Sequence, residues 1–355
     1  MKKLIHTLIA LFMVVGVQAK IIQVNNNAGA SADYALLQTA IDNANSGDTL
    51  YLSGSPNYYD ASTTVRLNKK LTLIGPGFFL GENNQTQSSN QTAKIYDFEI
   101  GEGADNSVLI GLDFNYSGYE ITFNKKKRDG TTGSNTSNNV LIKRNKIDRI
   151  SLYYASGTII EQNYFNSNYS NIFLDETSSN TLIQCNIIIT SSSYGGIQGP
   201  GYGYALSNTV IRSNTFSKGL VQLVGVEIDN NVFFSGILDN CDNNVLKNNV
   251  WVSSEAVAIP TSSTGNTLSN NKFTATAGDI FVKATPSIDN EFKLKNGSPA
   301  IGAGIDGIDA GAFGGISPYK LSGLPAIPAI YELTTTGIGT KENGLKVVVK
   351  AKSNN

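Results

Sequence analysis

One pattern of apolar and polar positions recurs along the middle of the chain: an aliphatic residue, two variable residues, an Asn, one variable residue and a bulky apolar residue. It reads Ile142-Lys143-Arg144-Asn145-Lys146-Ile147, then Ile160-Glu161-Gln162-Asn163-Tyr164-Phe165, then Ile183-Gln184-Cys185-Asn186-Ile187-Ile188. It continues as Ile211…Asn214…Phe216, Ile228…Asn231…Phe233, Leu246…Asn249…Trp251 and Leu268…Asn271…Phe273. The Asn-to-Asn spacings are 18, 23, 28, 17, 18 and 22 residues, with a mean of 21. A weaker apolar segment follows each copy, at Ile150–Tyr153, Ile172–Asp175, Ile197–Pro200, Leu220–Leu223, Ile237–Asn240, Val257–Pro260 and Ile280–Lys283. These segments are short, rich in β-branched and aromatic residues, and punctuated by Gly, Ser and Asn. Sustained helical periodicity is absent from residues 60–310.

Short parallel strands joined by tight turns coil into a solenoid in which each rung covers the apolar face of its neighbour. The pattern therefore predicts an all-β fold, a parallel β-helix of about a dozen rungs with three strands each. A repeated Asn suits a corner, because it tolerates left-handed backbone angles and its amides can hydrogen-bond from rung to rung. A leucine-rich-repeat horseshoe also repeats an Asn, but it needs Leu at the strand positions and a regular return arm, and neither is present.

A solenoid needs caps. Residues 34–45 place Leu37, Ala40, Ile41 and Ala44 on one helical face, with Asp33 able to cap the start and Gly47 the end. Asp48–Leu52 reads as a first strand, and Leu71–Ile74 as a later one that ends at the Gly75-Pro76-Gly77 turn. At the far end, Pro318, Pro325 and Pro328 mark a connector to two strands, Ala329–Thr334 and Leu345–Lys350, which suit a terminal hairpin. The division predicted is a signal peptide at 1–19, a capped β-helix at 20–315, and a connector with a hairpin at 316–355. The leader reading rests on Lys2-Lys3, the apolar Leu4–Val17 and the small-residue site Val17-Gln18-Ala19, and the apolar run is short for a membrane span. It predicts a secreted or cell-surface protein.

Composition then narrows the chemistry. The only histidine, His6, lies inside the predicted leader, which removes Ser-His-Asp and Cys-His catalysis and His-ligated zinc from the mature chain. Cys185 and Cys241 have no CxxC spacing and read as buried thiols. Net charge is −1, and it becomes −3 once Lys2 and Lys3 leave, so no nucleic-acid partner is expected. Asn is unusually abundant, at 40 residues.

The opening helix with its Ser46-Gly47-Asp48-Thr49 turn, the Ile-x-x-Asn-x-Phe rungs and the Ser298-Pro299-Ala300-Ile301 close resemble the pectate-lyase-like superfamily. That resemblance, over roughly residues 33–315, implies a right-handed parallel β-helix, and the closing segment is similar to secreted Bacteroidetes members. It implies no catalytic residues: there is no Asp-Asp pair and no histidine after the predicted leader, as polygalacturonase-like members would need, and neither the Trp-x-Asp-His nor the Arg-x-x-Arg of pectate lyases is present.

In such a fold the substrate groove runs over one sheet, here expected on the weaker strand set. If Ile and Leu point inward, alternation turns Asp97, Glu99, Tyr153, Phe173, Asp175 and Gln198 outward, and nearby loops add Lys125–Arg128, Glu176, Tyr194, Tyr202 and Tyr204. A polysaccharide lyase would use Asp97, Glu99 and Asp175 to hold Ca²⁺ against a uronate, with Lys125 or Arg128 as base. A glycoside hydrolase, the lesser enzyme reading, would pair Asp175 or Glu176 with Asp97 or Glu99. A binding module would stack the aromatics, Tyr153, Phe173, Tyr202 and Tyr204, on the sugars of a polysaccharide or cell-surface glycan. A structural or adhesive solenoid, whose charges and tyrosines merely solvate an outer sheet, is the further alternative. Asp239 and Asp242, with Asp229 a rung earlier, read as turn carboxylates in preference to a weak Ca²⁺ site, with Asp239 expected to face inward.

Overall fold

The computed structural model describes residues 19–124, 136–201, 203–274, 277–283, 285–335 and 337–354. The chain forms a parallel β-helix, right-handed as parallel crossover connections are. Face A, the strands that precede the Asn, is an 11-stranded sheet running from Ile21–Val24 to Thr267–Ser269. The first strand is thus Ile21–Val24, which pairs in register with Thr49–Leu52. The other two faces belong to one 16-stranded sheet that bends at the long strand Lys94–Ile100. Face B follows the Asn corner (Asp113–Phe114, Lys146–Ile147, Tyr164–Ser167 and onward). Face C follows face B (Glu120–Phe123, Arg149–Leu152, Ile172–Leu174, Ile197–Gln198, Leu220–Val221, Leu238–Asp239).

The repeat aliphatics point inward. Ile142, Ile160, Ile183, Ile211, Ile228 and Leu246 are register partners in face A and are fully buried. From face B, Phe216, Phe233 and Trp251 stack almost parallel, at centroid spacings of 4.8 and 3.7 Å. The Asn form a continuous ladder. Asn186 Nδ2 donates to Ile160 O (2.8 Å) and Asn214 Oδ1 (3.0 Å), while its own Oδ1 accepts from the backbone N (2.8 Å) and the Nδ2 (3.0 Å) of Asn163. The same bonds run from Asn145 to Asn271. The left-handed residue at this corner is not the ladder Asn. It is the residue before it: Arg144, Gln162, Cys185, Ser213, Asn230, Asn248 and Asn270 all have φ between 52° and 57°.

Five further Asn lie at the C–A corner, where Asn106, Asn139, Asn180, Asn208 and Asn243 are left-handed and Gly157, Gly225 and Gly265 take the same role in other rungs. There the residue type does follow the backbone, since Asn and Gly pay least for positive φ.

Several expectations are corrected. The cap helix is shorter, Leu37–Asn43, and its first amides are held by Asp60, whose Oδ2 accepts from Leu37 N (2.7 Å) and Gln38 N (3.3 Å). Asp33 instead accepts from Gln23 N. Val257–Pro260 is no strand: Glu255–Ala258 forms one helical turn, ended by Pro260, which cannot donate to a ladder. Around Ile280–Lys283 only Phe281 pairs, antiparallel to Leu294. At the end of the solenoid no further rung demands a parallel partner there.

Past the last rung the chain doubles back. Residues 303–324 run along the Asn corner towards the N-terminus, held largely by the left-handed residues. Asn248 Nδ2 donates to Ala303 O, Asn230 Oδ1 accepts from Ile305 N, Cys185 Sγ meets Gly314 O at 3.6 Å, Gln162 Nε2 donates to Pro318 O (2.7 Å), and an Arg144 terminal nitrogen donates to Leu324 O (2.8 Å). Face B is sealed by this strap and the residues before it, where Val232 and Val250 pack on Ile280, Phe281, Ala300 and Ala310. An antiparallel hairpin, Ala329–Thr335 with Val347–Lys352, ends the fold, with Ile330, Leu333, Val347 and Val349 exposed.

Candidate functional site

With face B covered, faces C and A remain. On face C an outward row runs through register partners Arg66, Glu99, Thr122, Ser151, Phe173, Gln198, Val221 and Asp239. A second row holds Glu120 beside Arg149, whose guanidinium lies 3.6 Å from the carboxylate. Ser151 Oγ donates to Glu120 (2.5 Å), and Arg149 lies over the Tyr169 ring at 5.3 Å.

Two aromatic margins border this face. At the B–C corner, Tyr58, Tyr96, Tyr116 and Tyr119 form one cluster; Tyr96 is 4.6 Å from Tyr116 and 4.1 Å from Tyr119, centroid to centroid. Hydrogen bonding to Tyr119, then burial, pushes the Tyr96 phenol up to about 12. Two buried carboxylates pin the loop that carries Tyr116 and Tyr119: Asp113 Oδ1 accepts from Asn115 N (3.1 Å) and Asp148 Oδ2 from Gly118 N (2.9 Å). Burial raises both carboxyl groups above their ordinary value. Later rungs present Tyr169 (51% exposed) and Tyr194 (59%) at the same corner. The C–A corner contributes Tyr153, Tyr154 and Tyr204, and Tyr153 lies 5.6 Å from Phe173. Further along, a cavity of about 280 Å³ opens between Ser191–Ser193, Lys218 and Asp239.

The expected residues fall into separate groups. Tyr153, Phe173 and Gln198 share the middle of face C, where Gln198 Oε1 accepts from Ser170 (3.0 Å), and Tyr204 stands at its margin. Asp97 and Glu99 face outward but are buried under the neighbouring strand, accepting from Thr64 Oγ1 (2.7 Å) and Arg66 Nε (2.9 Å). Along the outward row three strand spacings separate Glu99 from Phe173, about 14 Å at roughly 4.8 Å each. That exceeds the ~5–9.5 Å over which two carboxyl groups cooperate in glycoside hydrolysis, so Asp175 or Glu176 does not pair with Asp97 or Glu99. Asp175 accepts from Thr177 in a local turn, and Glu176 is exposed. No three acidic, Cys or His side chains converge as a metal set among the described residues, and the Asp97, Glu99 and Asp175 grouping does not fit Ca²⁺. Lys125, Arg128 and Tyr202, like most of the leader, lie outside the described residues.

Asp239 faces outward, because Leu238 and not Ile237 takes the inward place opposite Leu220. It ends the face C strand Leu238–Asp239 and accepts from Ser262, Asp242 accepts from Thr264 in the turn that follows, and Asp229 lies elsewhere, on face A. Burial pushes both Cys185 and Cys241 thiols up to about 12, which leaves them inert as nucleophiles. Sequence reasoning missed the clustering of Tyr58, Tyr96, Tyr116 and Tyr119, because Tyr116 and Tyr119 sit on a loop that carries no period and Tyr58 and Tyr96 on strands outside the Asn repeat; the only signal was tyrosine density around residues 96–119.

No helix among the described residues is long and apolar enough to cross a membrane. No protein-family model matches the sequence, and no curated protein matches it. Among solved structures, the chain is similar to an alginate lyase from Paenibacillus sp. str. FPU-7 (12% identity, TM-score 0.38, covering 72% of this chain and 96% of that one). It is also similar to the pectate lyase Pel9A (13% identity, TM-score 0.34, 86% and 98%) and to Dex49A from Penicillium minioluteum (12%, 0.25, 72% and 54%). These likenesses concern the fold alone, and it is the parallel strand pairings themselves that identify the fold as a parallel β-helix.

Proposed function

We propose that this is an exported or cell-surface protein that binds polysaccharide along face C. The supporting observation is the pair of tyrosine margins flanking a polar floor: Tyr116, Tyr169 and Tyr194 on one side, Tyr153, Tyr154 and Tyr204 on the other. Aromatic rings offer apolar faces to sugar rings while their hydroxyls stay wet, and Gln198 and the Glu120–Arg149 pair supply directional polar groups. Rungs repeat along the axis at about the strand spacing of 4.8 Å, so successive rungs can meet successive units of a chain. The basic run Lys125–Arg128 follows directly on the face C strand Glu120–Phe123 in sequence, which favours an acidic glycan.

Affinity electrophoresis against alginate, pectate and neutral glucans tests this. Retardation by an acidic polysaccharide is expected, with Tyr169→Ala and Tyr194→Ala each weakening it severalfold; no retardation by any glycan would sink the reading. Unsaturated product in the same mixtures, abolished by Lys125→Ala or Arg128→Ala, would add a lyase activity to the binding.

A further inference from the structure

The two strands of the terminal hairpin sort their side chains by face. Register sets Leu333 opposite Val349 and Ile330 opposite Ala351, whereas Glu332 lies opposite Lys350, and Tyr331 is the extra residue of a bulge. Alternation therefore puts Ile330, Leu333, Val347 and Val349 on one side. The other side carries Lys350, 2.7 Å from Glu332, and Lys352, 5.7 Å above the Tyr331 ring. The charged side is satisfied internally, and the aliphatic side is left to solvent. Its four large side chains are 44–55% exposed, and every residue from Gly337 to Ala351 is exposed, so the hairpin stands clear of the solenoid. At its turn end Ile338 (84%) and Leu345 (52%) extend the apolar surface beside Lys341 and Lys346. Two strands alone are marginal in water, and a contiguous apolar face on such an element marks a contact with something apolar.

Area and charge decide what that is. The strands are seven and six residues long, so at about 3.4 Å per residue the face measures roughly 20 by 10 Å. A stable protein–protein interface takes about 800 Å² from each partner, and a second copy laid face to face falls well short of it. Such a pairing also brings like charges together. Residues 329–355 hold four Lys and two Glu, a net +2, in a chain whose total is −1, so the remainder is −3. An anionic lipid surface meets both conditions. It needs no matching protein area, since aliphatic side chains sink shallowly between headgroups while the polar strand edges stay wet. Lysines on the opposite side and at the turn reach lipid phosphates along their flexible stems. The same surface repels the acidic remainder, which leaves the hairpin as the element that lands.

We propose that the hairpin docks the protein on an anionic lipid surface, aliphatic side down. This contact is independent of the glycan reading given to face C. Co-sedimentation with lipid vesicles tests it, using the chain from Lys20 because the apolar Leu4–Val17 run would itself enter lipid. Binding is expected to vesicles of equal phosphatidylglycerol and phosphatidylcholine, with phosphatidylcholine alone about tenfold weaker or worse. Leu333→Ser and Val349→Ser should each weaken binding about tenfold. Lys346→Gln and Lys352→Gln should each weaken it about fivefold. Tyr169→Ala and Tyr194→Ala should leave it unchanged. Removing residues 327–355 should abolish vesicle binding while the solenoid keeps its melting temperature, which guards against a hairpin variant that merely unfolds. No binding to the anionic vesicles, equal binding to phosphatidylcholine alone, or binding that survives loss of the hairpin would overturn the proposal. A concentration-dependent dimer that Leu333→Ser dissolves would overturn it too, by giving the face to a second copy.

Discussion

Four hydrogen bonds meet at the Asn186 side chain, all of them buried. Replacing it with Ala strands the Asn163 amide hydrogen and the Ile160 carbonyl, so Asn186→Ala should cost about 3–5 kcal/mol in urea unfolding. Asn271, the half-buried last member, donates to Leu246 O and has no Asn beyond it, so Asn271→Ala should cost clearly less. Asp229 works in the opposite sense. Burial raises its carboxyl from 3.8 to about 6, so its contribution is fully present below about pH 4 and is lost as pH rises through 6. Asp229→Asn should therefore stabilise the protein on the order of 2–3 kcal/mol at pH 7–8 and hardly at all below pH 4, as thermal unfolding across pH would register. The ladder was legible in the sequence because one chemical requirement recurs at one place in every rung. The burial of Asp229 was not, although the position after each aliphatic is polar throughout, because no local spacing records the strap that returns beside it.

Elements were legible where both neighbours are rungs. Face A and face B strands follow the repeat closely, whereas the face C set failed at Val257–Pro260 and Ile280–Lys283, beyond Leu238–Asp239, where face C has no further strand to pair with. Helix Leu37–Asn43 was found from its apolar stripe but its cap was misassigned, since Asp60 reaches it from a distant strand and no local spacing records that. The strap lacks periodicity altogether. Its fit depends on close approach: a Cβ on Gly323, at φ +55°, would stand 2.2 Å from the Phe78 ring and 2.5 Å from the Arg144 carbonyl. Gly323→Ala should loosen the strap and lower stability by about 1–3 kcal/mol, with faster amide exchange along residues 312–324 and little change in face C.

A solenoid's stability is approximately a sum over adjacent rungs, which lets ends fray independently. Here the strap links rungs far apart in sequence, from Asn248 to Phe78, whose amide donates to Ser322 O. Around it Asp289 gathers Tyr319, Ser322 and Asn83, tying the first loops to the last. Removing residues 303–355 should lower the melting temperature by roughly 5–10 °C and split the transition into more than one step. Removing only 327–355, the hairpin with its few outward bonds such as Ser88 N to Ile330 O, should leave a single transition near the original temperature.

The direction of the strap also sets an order in time. Chains leave the ribosome N-terminus first, and neighbouring rungs need only each other to form. The left-handed side chains along the Asn corner, from Arg144 to Asn248, nevertheless meet partners that are made last. A nascent chain therefore passes through a long interval in which its rungs are wound but unfastened, and the final fifth of the protein closes them from the youngest rung back to the oldest.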